Sequence, residues 1–380
     1  MKDVAAILDP EIRINQRILL GLSEALQSVE DWDIHVVTSK SGEGSIQSQL
    51  HAIKPNAIVI RKSNPELHRL AEQMNVPYVS ILDAPHELGK VPTVLPDEDA
   101  IGELAANYLM NMNFNALGII GYHPQSAFPR LDAFRKMIQT GSQKIYSFDL
   151  QHPKNQDHPF PGYGHSENLV DWLHALPKPC AIFAYSDQPA AYIVRCCKQN
   201  NIRVPEDVSV LGVDDDPLFC HVISPNLASV HLSYSRLGME AANILLNWPP
   251  DRIRVKVPPT NIVERASCRP PRPESKDVDV ALDYLRKNVS DGVKVQDLQK
   301  ITGLSPHQLI YRFNTATGKT PMECILMQRI NVAKRLLADT NQSVTKISKQ
   351  SGFKSATQFY AAFRNQVGIS PTQYRKQFSP

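Results

Sequence analysis

The chain has 380 residues, of which 42% are hydrophobic and 21% are charged. A chain of this length is too long to fold around a single hydrophobic core, so two or three domains are expected. The composition is typical of a globular protein and excludes a disordered or membrane-embedded chain. The formal net charge of +3 is unevenly distributed: residues 274–380 carry +8, and the preceding 273 residues carry −5. An acidic body joined to a basic end indicates contact with a polyanion at that end.

The longest apolar runs, such as Ala57–Ile60, have the length of a β-strand and are too short to cross a bilayer. The N-terminus lacks an apolar signal segment followed by a cleavage site, so we expect a cytoplasmic protein with no membrane partner. The six cysteines contain no C-x-x-C pair, which predicts reduced thiols that pack in the interior. A redox role for the neighbouring Cys196 and Cys197 is the weaker alternative.

Residues 1–267 alternate short apolar runs with amphipathic stretches, and this alternation predicts parallel sheets covered by helices on both faces. Two such sheets fit the length, the first ending at about residue 98, with a crossover near Leu95–Asp99, and the second following it. The predicted strands are Val4–Leu8, His35–Thr38, Ala57–Ile60, Tyr78–Leu82, Ala116–Gly121, Ala181–Tyr185 and Ser209–Val213. The predicted helices are Ile14–Val29, Glu66–Met74, Ile101–Met112, Arg130–Thr140, Glu167–Leu176, Gln188–Asn200 and Tyr234–Leu246.

Polar residues follow several of these strands directly. Because doubly wound folds bind ligands outside the carboxyl ends of their strands, these loops are the candidate lining of a cleft between two lobes. The loops are Asp9–Arg13, Asp83–Gly89, Tyr122–Arg130, Ser186–Gln188 and Asp214–Phe219.

Residues 268–277 form the clearest domain boundary. Three prolines within residues 270–273, flanked by charges, predict a stiff and exposed spacer. Beyond it the strand pattern stops, and residues 278–377 show several helical patterns and no convincing strand alternation. The expected organisation is therefore an α/β domain over 1–267, a proline-rich linker, and an all-α domain over 278–380.

The helical domain contains the same sequence of helix, turn and capped second helix twice. An apolar helical face is followed by Gly303, which permits a turn, and by Ser305, which caps the next helix. About fifty residues later Gly352 and Ser355 occupy the same places, and a long helix over Pro321–Ala338 joins the two units. A repeated helix-turn-helix unit is far more specific than a single one.

The second unit closely resembles the signature of AraC-type DNA-binding domains. The resemblance covers about residues 280–377 and implies an operator of double-stranded DNA as partner, and RNA polymerase if the protein activates transcription. It also implies that both recognition helices, about Ser305–Thr315 and Ser355–Gln366, enter successive major-groove segments on one face of the duplex. The matching residues are Ile347, Gly352-Phe353-Lys354-Ser355, Gln358-Phe359, Phe363-Arg364, Gly368-Ile369-Ser370-Pro371 and Tyr374-Arg375.

The outward faces of the two recognition helices supply the candidate DNA contacts. Phosphate contacts position such a domain, whereas contacts to base edges read the sequence. For two of the candidates below, His307 and Tyr311, the alternative interpretation is an ordinary solvated surface without DNA contact. Lys354, Ser355 and Arg364 are candidates for phosphates. The other candidates are His307, Gln308, Tyr311 and Arg312 on the first helix and Ala356, Thr357 and Tyr360 on the second, while Leu309, Phe313, Phe359 and Phe363 are expected to pack in the core.

The α/β region resembles LacI/GalR-type effector domains. A sensor of this type ahead of an AraC-type domain is similar to the xylose-operon regulator family. That likeness implies a two-lobed, doubly wound α/β sensor of the periplasmic-binding-protein-like type, a small xylose-like monosaccharide as effector, and a homodimer formed through the first lobe. The matching segments are Arg130-Leu131-Asp132-Ala133-Phe134, Phe183-Ala184-Tyr185-Ser186-Asp187 and Gly212-Val213-Asp214-Asp215-Asp216, followed by Ile223-Ser224-Pro225 and Val263-Glu264-Arg265.

In such sensors a charged residue from each of three loops hydrogen-bonds sugar hydroxyls, and the resemblance assigns these roles to Arg130, Asp187 and Asp214. A fixed carboxylate and a fork-shaped guanidinium suit vicinal hydroxyls, because each hydroxyl offers a donor and an acceptor. Glu11 and Arg13 are expected to supply another wall. Helix capping is the alternative for at least one of the three consecutive aspartates.

Two other classes of protein remain as alternatives. A cleft enzyme acting on a small sugar would need a nucleophile elbow, a phosphate loop or metal-ligand spacing, and the sequence contains none of these patterns. A solute-capture protein of a transporter would leave the C-terminal repeat unexplained. His152, His158 and His165 lie in a proline-rich stretch with irregular spacing, so a surface loop is favoured over a metal site. No cofactor or metal is expected, and we predict that the protein is not an enzyme.

Overall fold

In the computed structural model of the protein, the chain forms two α/β lobes followed by a helical domain. Across the described residues, every helix is too short or too polar to cross a membrane. The structure describes residues 2–29, 31–38, 45–61, 65–82, 91–112, 114–122, 129–139, 144–150, 167–251, 253–269 and 276–378. Residues 270–275 of the predicted linker over 268–277 and the histidines at 152, 158 and 165 lie outside these ranges.

The two lobes are built from alternating strands and helices. The strands are β1 (Lys2–Ile7), β2 (Trp32–Val37), β3 (Ala57–Ile60), β4 (Tyr78–Ile81), β5 (Thr93–Pro96), β6 (Ala116–Tyr122), β7 (Ile145–Leu150), β8 (Cys180–Ala184), β9 (Val208–Val213), β10 (Ala228–His231), β11 (Arg254–Val257) and β12 (Asn261–Val263). The helices are α1 (Arg13–Gln27), α2 (Ile46–Ile53), α3 (Pro65–Met74), α4 (Glu98–Met110), α5 (Pro129–Gln139), α6 (Glu167–Ala175), α7 (Asp187–Gln199), α8 (Pro217–His221) and α9 (Tyr234–Leu246).

Each lobe has one six-stranded sheet. The first sheet has the order β11-β5-β4-β3-β1-β2, and all its strands are parallel. The second has the order β12-β10-β9-β8-β6-β7, in which only the β10–β12 pair is antiparallel. Inner strands such as β3 are buried along their whole length, as expected when helices cover both faces of a sheet.

The chain passes between the lobes in three described segments, which follow β5, β10 and β11. After β5, helix α4 packs against α5 of the second lobe, and after β10, helix α9 packs against α1 of the first lobe. One buried apolar cluster therefore continues across both lobes, from Val4 in β1 to Phe183 in β8. This arrangement places the interlobe hinge beside the ends of the strands.

The helical domain contains α10 (Lys276–Asn288), a short 3-10 turn (Val289–Asp291), α11 (Val295–Thr302), α12 (Pro306–Thr317), α13 (Pro321–Asp339), α14 (Val344–Gln350), α15 (Ala356–Val367) and α16 (Pro371–Phe378). Helices α11 and α12 form the first helix-turn-helix unit, and α14 and α15 form the second. Each unit has its own apolar core, one around Phe313 and one around Phe363. Helix α13 contributes to both cores and joins the units.

Most predicted elements are confirmed, and β3 and α9 match residue for residue. The expectation that the first sheet ends at about residue 98 is wrong, because β11 returns to it and pairs with β5. Its four residues are mostly exposed, and Val257 alone is buried. A short edge strand of this kind lacks the apolar run by which buried strands are recognised in a sequence.

All six cysteines lie in the described part of the chain, and each is a buried free thiol. Cys196 and Cys197 lie in α7 and pack in the core of the second lobe. Burial raises the pKa of Cys197 to about 12. Because the thiolate is the reactive form, this environment supports the packing interpretation over a redox role.

Helices α1 and α9 approach each other closely at Gly21, where an added Cβ would lie 1.8 Å from the carbonyl oxygen of Ser235. We therefore expect Gly21→Ala to destabilise the α/β domain by about 1–3 kcal/mol, the usual cost of overpacking. Each kcal/mol corresponds to a fall of about 2–4 °C in the apparent Tm of a domain of this size. Gln27→Ala is the matched control, because Gln27 lies on the same helix and its side chain is exposed. Equal melting temperatures for the two variants would contradict the close approach.

Candidate functional site

A cluster of charged side chains lies where strands of the second sheet end, beside the segments that cross between the lobes. Arg130, in the first turn of α5, donates to the two carboxylate oxygens of Glu98 at 2.5 and 2.6 Å and to the carbonyl oxygen of Tyr185 at 2.9 Å. The carboxylate of Asp214 lies 3.9 Å from the same guanidinium and accepts a hydrogen bond from the Tyr234 hydroxyl at 2.6 Å. Glu98 begins α4 and Tyr234 begins α9, so both crossing helices contribute to this cluster.

Burial and neighbouring charges set the ionisation of this cluster. The Arg130 side chain is 13% exposed; burial works against its charge, but contact with Glu98 outweighs this effect and raises its pKa. Burial raises the pKa of Asp214 to about 6, although Arg130 and Tyr234 oppose the rise. A half-buried carboxyl group whose pKa lies this close to neutral pH is typical of functional sites.

The loop that carries Asp214 has an unusual backbone. Asp214 has a φ of 107° and Asp215 a φ of 50°, which are rare for residues with side chains. Positions of this kind cost about 1–3 kcal/mol each and concentrate at ligand sites. Arg17 of α1 holds the loop by donating to the carbonyl oxygens of Asp214 at 3.3 Å and Leu232 at 3.0 Å. A residue of the first lobe thus supports a loop of the second.

Asp187 lies at the start of α7 and is 1% exposed. One of its carboxylate oxygens accepts a hydrogen bond from the Ser229 hydroxyl at 2.6 Å, and the other accepts one from the backbone N–H of Asp216 at 2.8 Å. Burial, together with the nearby Asp214, raises the pKa of Asp187 well above its usual range. Both oxygens are therefore engaged inside the protein, and the side chain supports the loop after β9.

The three consecutive aspartates have different partners. Asp216 caps α8, because its side chain accepts a hydrogen bond from the backbone N–H of Leu218 at 2.8 Å. Asp215 accepts a hydrogen bond from the Arg265 guanidinium at 2.6 Å and is 7% exposed. Helix capping, the alternative for at least one of them, therefore applies to Asp216.

The remaining predicted wall residues lie on the first lobe. Glu11 and Arg13 follow β1 and are exposed, and the backbone N–H of Glu11 donates to Asp9 at 2.9 Å. The predicted loops after β4 and β6 fall largely on residues 83–90 and 123–128, which lie outside the described residues.

Glu98, Tyr234 and Arg17 belong to this cluster, although no sequence pattern predicts them as members. Glu98 stands in the segment where a crossover was expected, and Tyr234 begins a helix that was predicted correctly. A charged or hydroxyl-bearing residue at the start of a crossing helix is a usable signal, because a hinge brings such helix ends to the strand ends. Arg17 lies inside α1 and carries no such signal.

The second helix of each helix-turn-helix unit begins at a serine cap. The hydroxyls of Ser305 and Ser355 accept hydrogen bonds from the backbone N–H three residues further on, at 3.4 and 3.2 Å. The preceding turns contain Gly303 with φ of 69° and Gly352 with φ of 79°. The predicted turns and caps are confirmed, and α12 and α15 match the predicted recognition helices to within two residues at each end.

The two recognition helices bury their apolar faces and expose their polar ones. Tyr311 is 72% exposed and Tyr360 is 39% exposed, which is unusual for large aromatic side chains. The buried side chains are Leu309, Phe313, Phe359 and Phe363, as predicted. Of the other candidate DNA contacts, His307, Gln308, Arg312, Lys354, Ser355, Thr357 and Arg364 are exposed, and Ala356 is half-buried.

Two of these candidates, Arg312 and Tyr360, contact side chains of other helices in the domain. Arg312 donates to the carboxylate of Asp277 in α10 at 2.6 Å. The Tyr360 hydroxyl shares a hydrogen bond with the hydroxyl of Thr372 in α16 at 3.1 Å. Both side chains are therefore oriented by the domain itself.

Residues 106–268 match a family described as a periplasmic binding protein-like domain, and residues 298–377 match a helix-turn-helix domain family. The chain is 26% identical to the xylose operon regulatory protein of Escherichia coli (strain K12), over 95% of this chain and 93% of that protein. It is 23% identical to the protein of the same name from Haemophilus influenzae, over 98% and 97% of the two chains.

A solved structure of a xylose-binding transcription activator superposes on this chain with a TM-score of 0.59 and 24% sequence identity. The match covers 100% of this chain and 99% of the other. The similarity therefore extends over the two lobes and the helical domain together.

Gly212, in β9, allows Asp187 to reach the loop, because an added Cβ would lie 2.2 Å from its carboxylate oxygen. We expect Gly212→Ala to displace that carboxylate, to break its two hydrogen bonds and to lower the apparent Tm, at a cost of about 1–3 kcal/mol. The control is Gly118→Ala in β6, where the nearest atoms would be side-chain atoms of Ile182 and Trp172 at 3.2 Å. If thermal melts show that Gly118→Ala costs as much as Gly212→Ala, the special role of the Asp187 contact is refuted.

Proposed function

Because this chain belongs to the family of transcription regulators that join a periplasmic-binding-protein-like sensor to a C-terminal AraC-type helix-turn-helix domain, we propose that it senses a pentose between its two lobes. Occupancy of that site changes how its two helix-turn-helix units are presented to an operator. The observation that carries the proposal is the half-buried cluster of Arg130, Asp214 and Glu98 beside the hinge. The xylose named for the relatives in E. coli and H. influenzae favours a sugar of this size.

The chemistry of the cluster suits a polyhydroxylated ligand. Arg130 is fixed by Glu98 and by the carbonyl oxygen of Tyr185, so its guanidinium meets a ligand in one orientation. Asp214 offers an acceptor beside it, and charge-assisted hydrogen bonds to hydroxyls are directional and strong. We assign direct sugar contacts to Arg130 and Asp214.

Asp187 has a different part in this proposal. Both of its oxygens are occupied by donors of the protein, so it acts on the sugar by holding Asp216 and Ser229 in place. Glu11 and Arg13 are exposed at the start of α1 and stay candidates for the wall contributed by the first lobe.

A solute-capture protein and a sugar-converting enzyme are not favoured. Neither class accounts for two helix-turn-helix units with exposed Tyr311 and Arg312 on the outer face of the first recognition helix. We propose a regulator without catalytic activity that acts in the cytoplasm, where the operator is, and that contacts RNA polymerase if it activates transcription.

We also propose a homodimer that forms through the first lobe. Large apolar side chains are exposed on that lobe, among them Leu20 at 63%, Val29 at 62% and Val36 at 40%. Apolar groups exposed on neighbouring elements of one lobe are a usual feature of self-association surfaces. A two-fold arrangement would present two pairs of recognition helices to the operator.

Calorimetry with D-xylose, D-ribose and D-glucose tests the sugar site. We expect the wild-type protein to bind a pentose, and Asp214→Asn to lose about 1–3 kcal/mol of binding free energy, or roughly tenfold or more in Kd. The control is Asp132→Asn, because Asp132 pairs with Arg135 on α5 and is 39% exposed. A wild-type protein that binds no sugar, or an Asp214→Asn variant with unaltered Kd, would refute the site.

Sugar affinity should also depend on pH through Asp214. Because the pKa of this group is raised to about 6, it is mainly ionised at neutral pH and gains a proton as pH falls through that value. A protonated carboxyl is a weaker acceptor, so affinity should fall below about pH 6, by up to about tenfold per pH unit. Asp214→Asn should remove this dependence. A calorimetric profile that stays flat between pH 7 and 5 in the wild type would contradict the assignment.

Affinity selection from a randomised DNA library tests the DNA contacts. We expect Lys354→Ala and Arg364→Ala to weaken binding to all sequences about equally and to reduce the salt slope by about one each, because phosphate contacts carry no sequence information. His307→Ala and Tyr311→Ala should instead change which sequences are selected. Lys198→Ala is the control, since it removes one exposed positive charge from the sensor. Unchanged preferences after both His307 and Tyr311 substitutions would remove these residues from the base-reading surface.

A further inference from the structure

The sensor and the helical domain meet at a buried histidine. His231, the last residue of β10, is 3% exposed. Its Nδ1 lies 3.0 Å from a carboxylate oxygen of Asp215, and its Nε2 lies 2.7 Å from a carboxylate oxygen of Asp339. Asp339 is the last residue of α13, the helix that joins the two helix-turn-helix units. A ring that donates to carboxylates from both nitrogens is an imidazolium, so a charge pair joins the domains.

The same histidine is connected to the candidate sugar site. Asp215 directly follows Asp214 in the loop with positive φ angles. The backbone N–H of Asp215 donates to the Ser229 hydroxyl at 3.0 Å, and that hydroxyl donates to Asp187 at 2.6 Å. A movement of Asp214 toward a ligand therefore also moves the carboxylate that contacts His231.

The contact lies at the segments that cross between the lobes. The Ser233 hydroxyl, in the segment after β10, donates to the carbonyl oxygen of Ala338 at 3.3 Å. The Tyr374 hydroxyl of α16 donates to the carbonyl oxygen of Thr260, in the segment after β11, at 3.2 Å. Two-lobed domains bend at a few residues of their connecting segments. Helices α13 and α16, which belong to the core of the second helix-turn-helix unit, thus contact the hinge directly.

Positive and negative groups surround the histidine. Burial lowers the pKa of His231, but Asp339 and Asp215 together outweigh burial and raise it above its ordinary value. The pKa of Asp339 is lowered by His231 in spite of its burial. The titratable and charged groups that face this contact among the described residues include Asp215 after β9, Asp339 and Arg335 on α13, Arg265 after β12, Arg17 on α1, His221 on α8 and Tyr374 on α16.

We propose that the His231–Asp339 pair couples occupancy of the sugar site to the placement of the second helix-turn-helix unit. The proposal rests on the proposed function above and names the contact that transmits the signal. His231 contacts Asp215 through one ring nitrogen and Asp339 of α13 through the other. A shift of the loop after β9 therefore changes the distance between His231 and Asp339, and with it the strength of their ion pair. A ligand that prefers one position of this loop then shifts the equilibrium between two placements of α13.

The coupling factor measures this link directly. It is the ratio of the DNA dissociation constants with and without saturating D-xylose, or D-ribose if that sugar binds more tightly, for a duplex selected by the wild-type protein. Allosteric factors are commonly about 5–150. We expect such a factor in the wild type and a factor within about twofold of unity in Asp339→Asn, which keeps the size of the side chain and removes its charge.

Tyr374→Phe is the matched control. It removes another hydrogen bond between the same two domains and leaves the charge pair in place. We expect this variant to retain the wild-type coupling factor. A loss of coupling in Tyr374→Phe as large as that in Asp339→Asn would assign the effect to docking in general and overturn the specific role of the pair.

The pH profile of the wild type tests the pair without a substitution. A histidine whose pKa is raised in the folded state contributes its charge pair at low pH and loses it as pH rises through that pKa. The coupling factor should therefore decline as pH is raised above the ordinary range of a histidine and through the raised pKa of His231, while DNA affinity in the absence of sugar is followed as the reference. In Asp339→Asn the transition should disappear or move to lower pH, because the carboxylate that raises the pKa has been removed.

The outcomes separate this proposal from the one on which it rests. If the wild type binds sugar and couples it to DNA, but Asp339→Asn couples equally well with the same pH profile, the His231–Asp339 link is refuted and the proposed function stands. If the wild type shows no effect of sugar on DNA affinity, both are refuted. If Asp339→Asn does not fold, a coupling factor in the wild type that shows no decline as pH is raised above the ordinary range of a histidine still overturns the link.

Discussion

Three consecutive carboxylates at the end of one buried strand are the constraint on which the rest of the structure depends. An isolated buried carboxylate costs so much free energy that each of these groups needs its own partner. Asp214 faces Arg130 and the Tyr234 hydroxyl, Asp215 is held by an arginine and a histidine, and Asp216 caps α8. These partners come from both lobes and from the segments between them. The loop therefore contacts the hinge on several sides.

The same loop also connects the sensor to the helical domain through direct contacts, in addition to the linker. The partner of Asp215 on one side is His231, and the partner of His231 on the other is Asp339 of α13. Helix α13, which contributes to the cores of both helix-turn-helix units, is therefore bound to the sensor through the ion pair of His231 with Asp339. Arg269, just before the undescribed segment 270–275, also contacts Asp279 and Asp283 of α10, so the first unit is anchored too.

The helical domain illustrates what local sequence signals can establish. Gly303 and Gly352 stand at turns with positive φ, Ser305 and Ser355 cap the helices that follow, and the prolines that begin α12 and α13 occupy the first helical turn. These preferences act within a few residues of the chain, so they can be predicted without knowledge of the fold. Apolar spacing then separates buried from exposed faces, which is why Phe313 and Tyr311 were assigned to opposite sides of one helix.

The sequence by itself determined the two classes of domain, most of the buried strands and the repeated helix-turn-helix units, and it pointed to Arg130 and Asp214 as members of the candidate site. Those features follow from periodicity, capping and recognisable motifs, which are properties of neighbouring residues. Only the tertiary structure decided that β11 returns to the first sheet, that Glu98 and Tyr234 join Arg130, and that His231 meets Asp339. The histidine and its aspartate lie 108 positions apart in the chain, and each alone resembles an ordinary polar residue. Their pairing depends on where the hinge places α13, and no local pattern encodes that position.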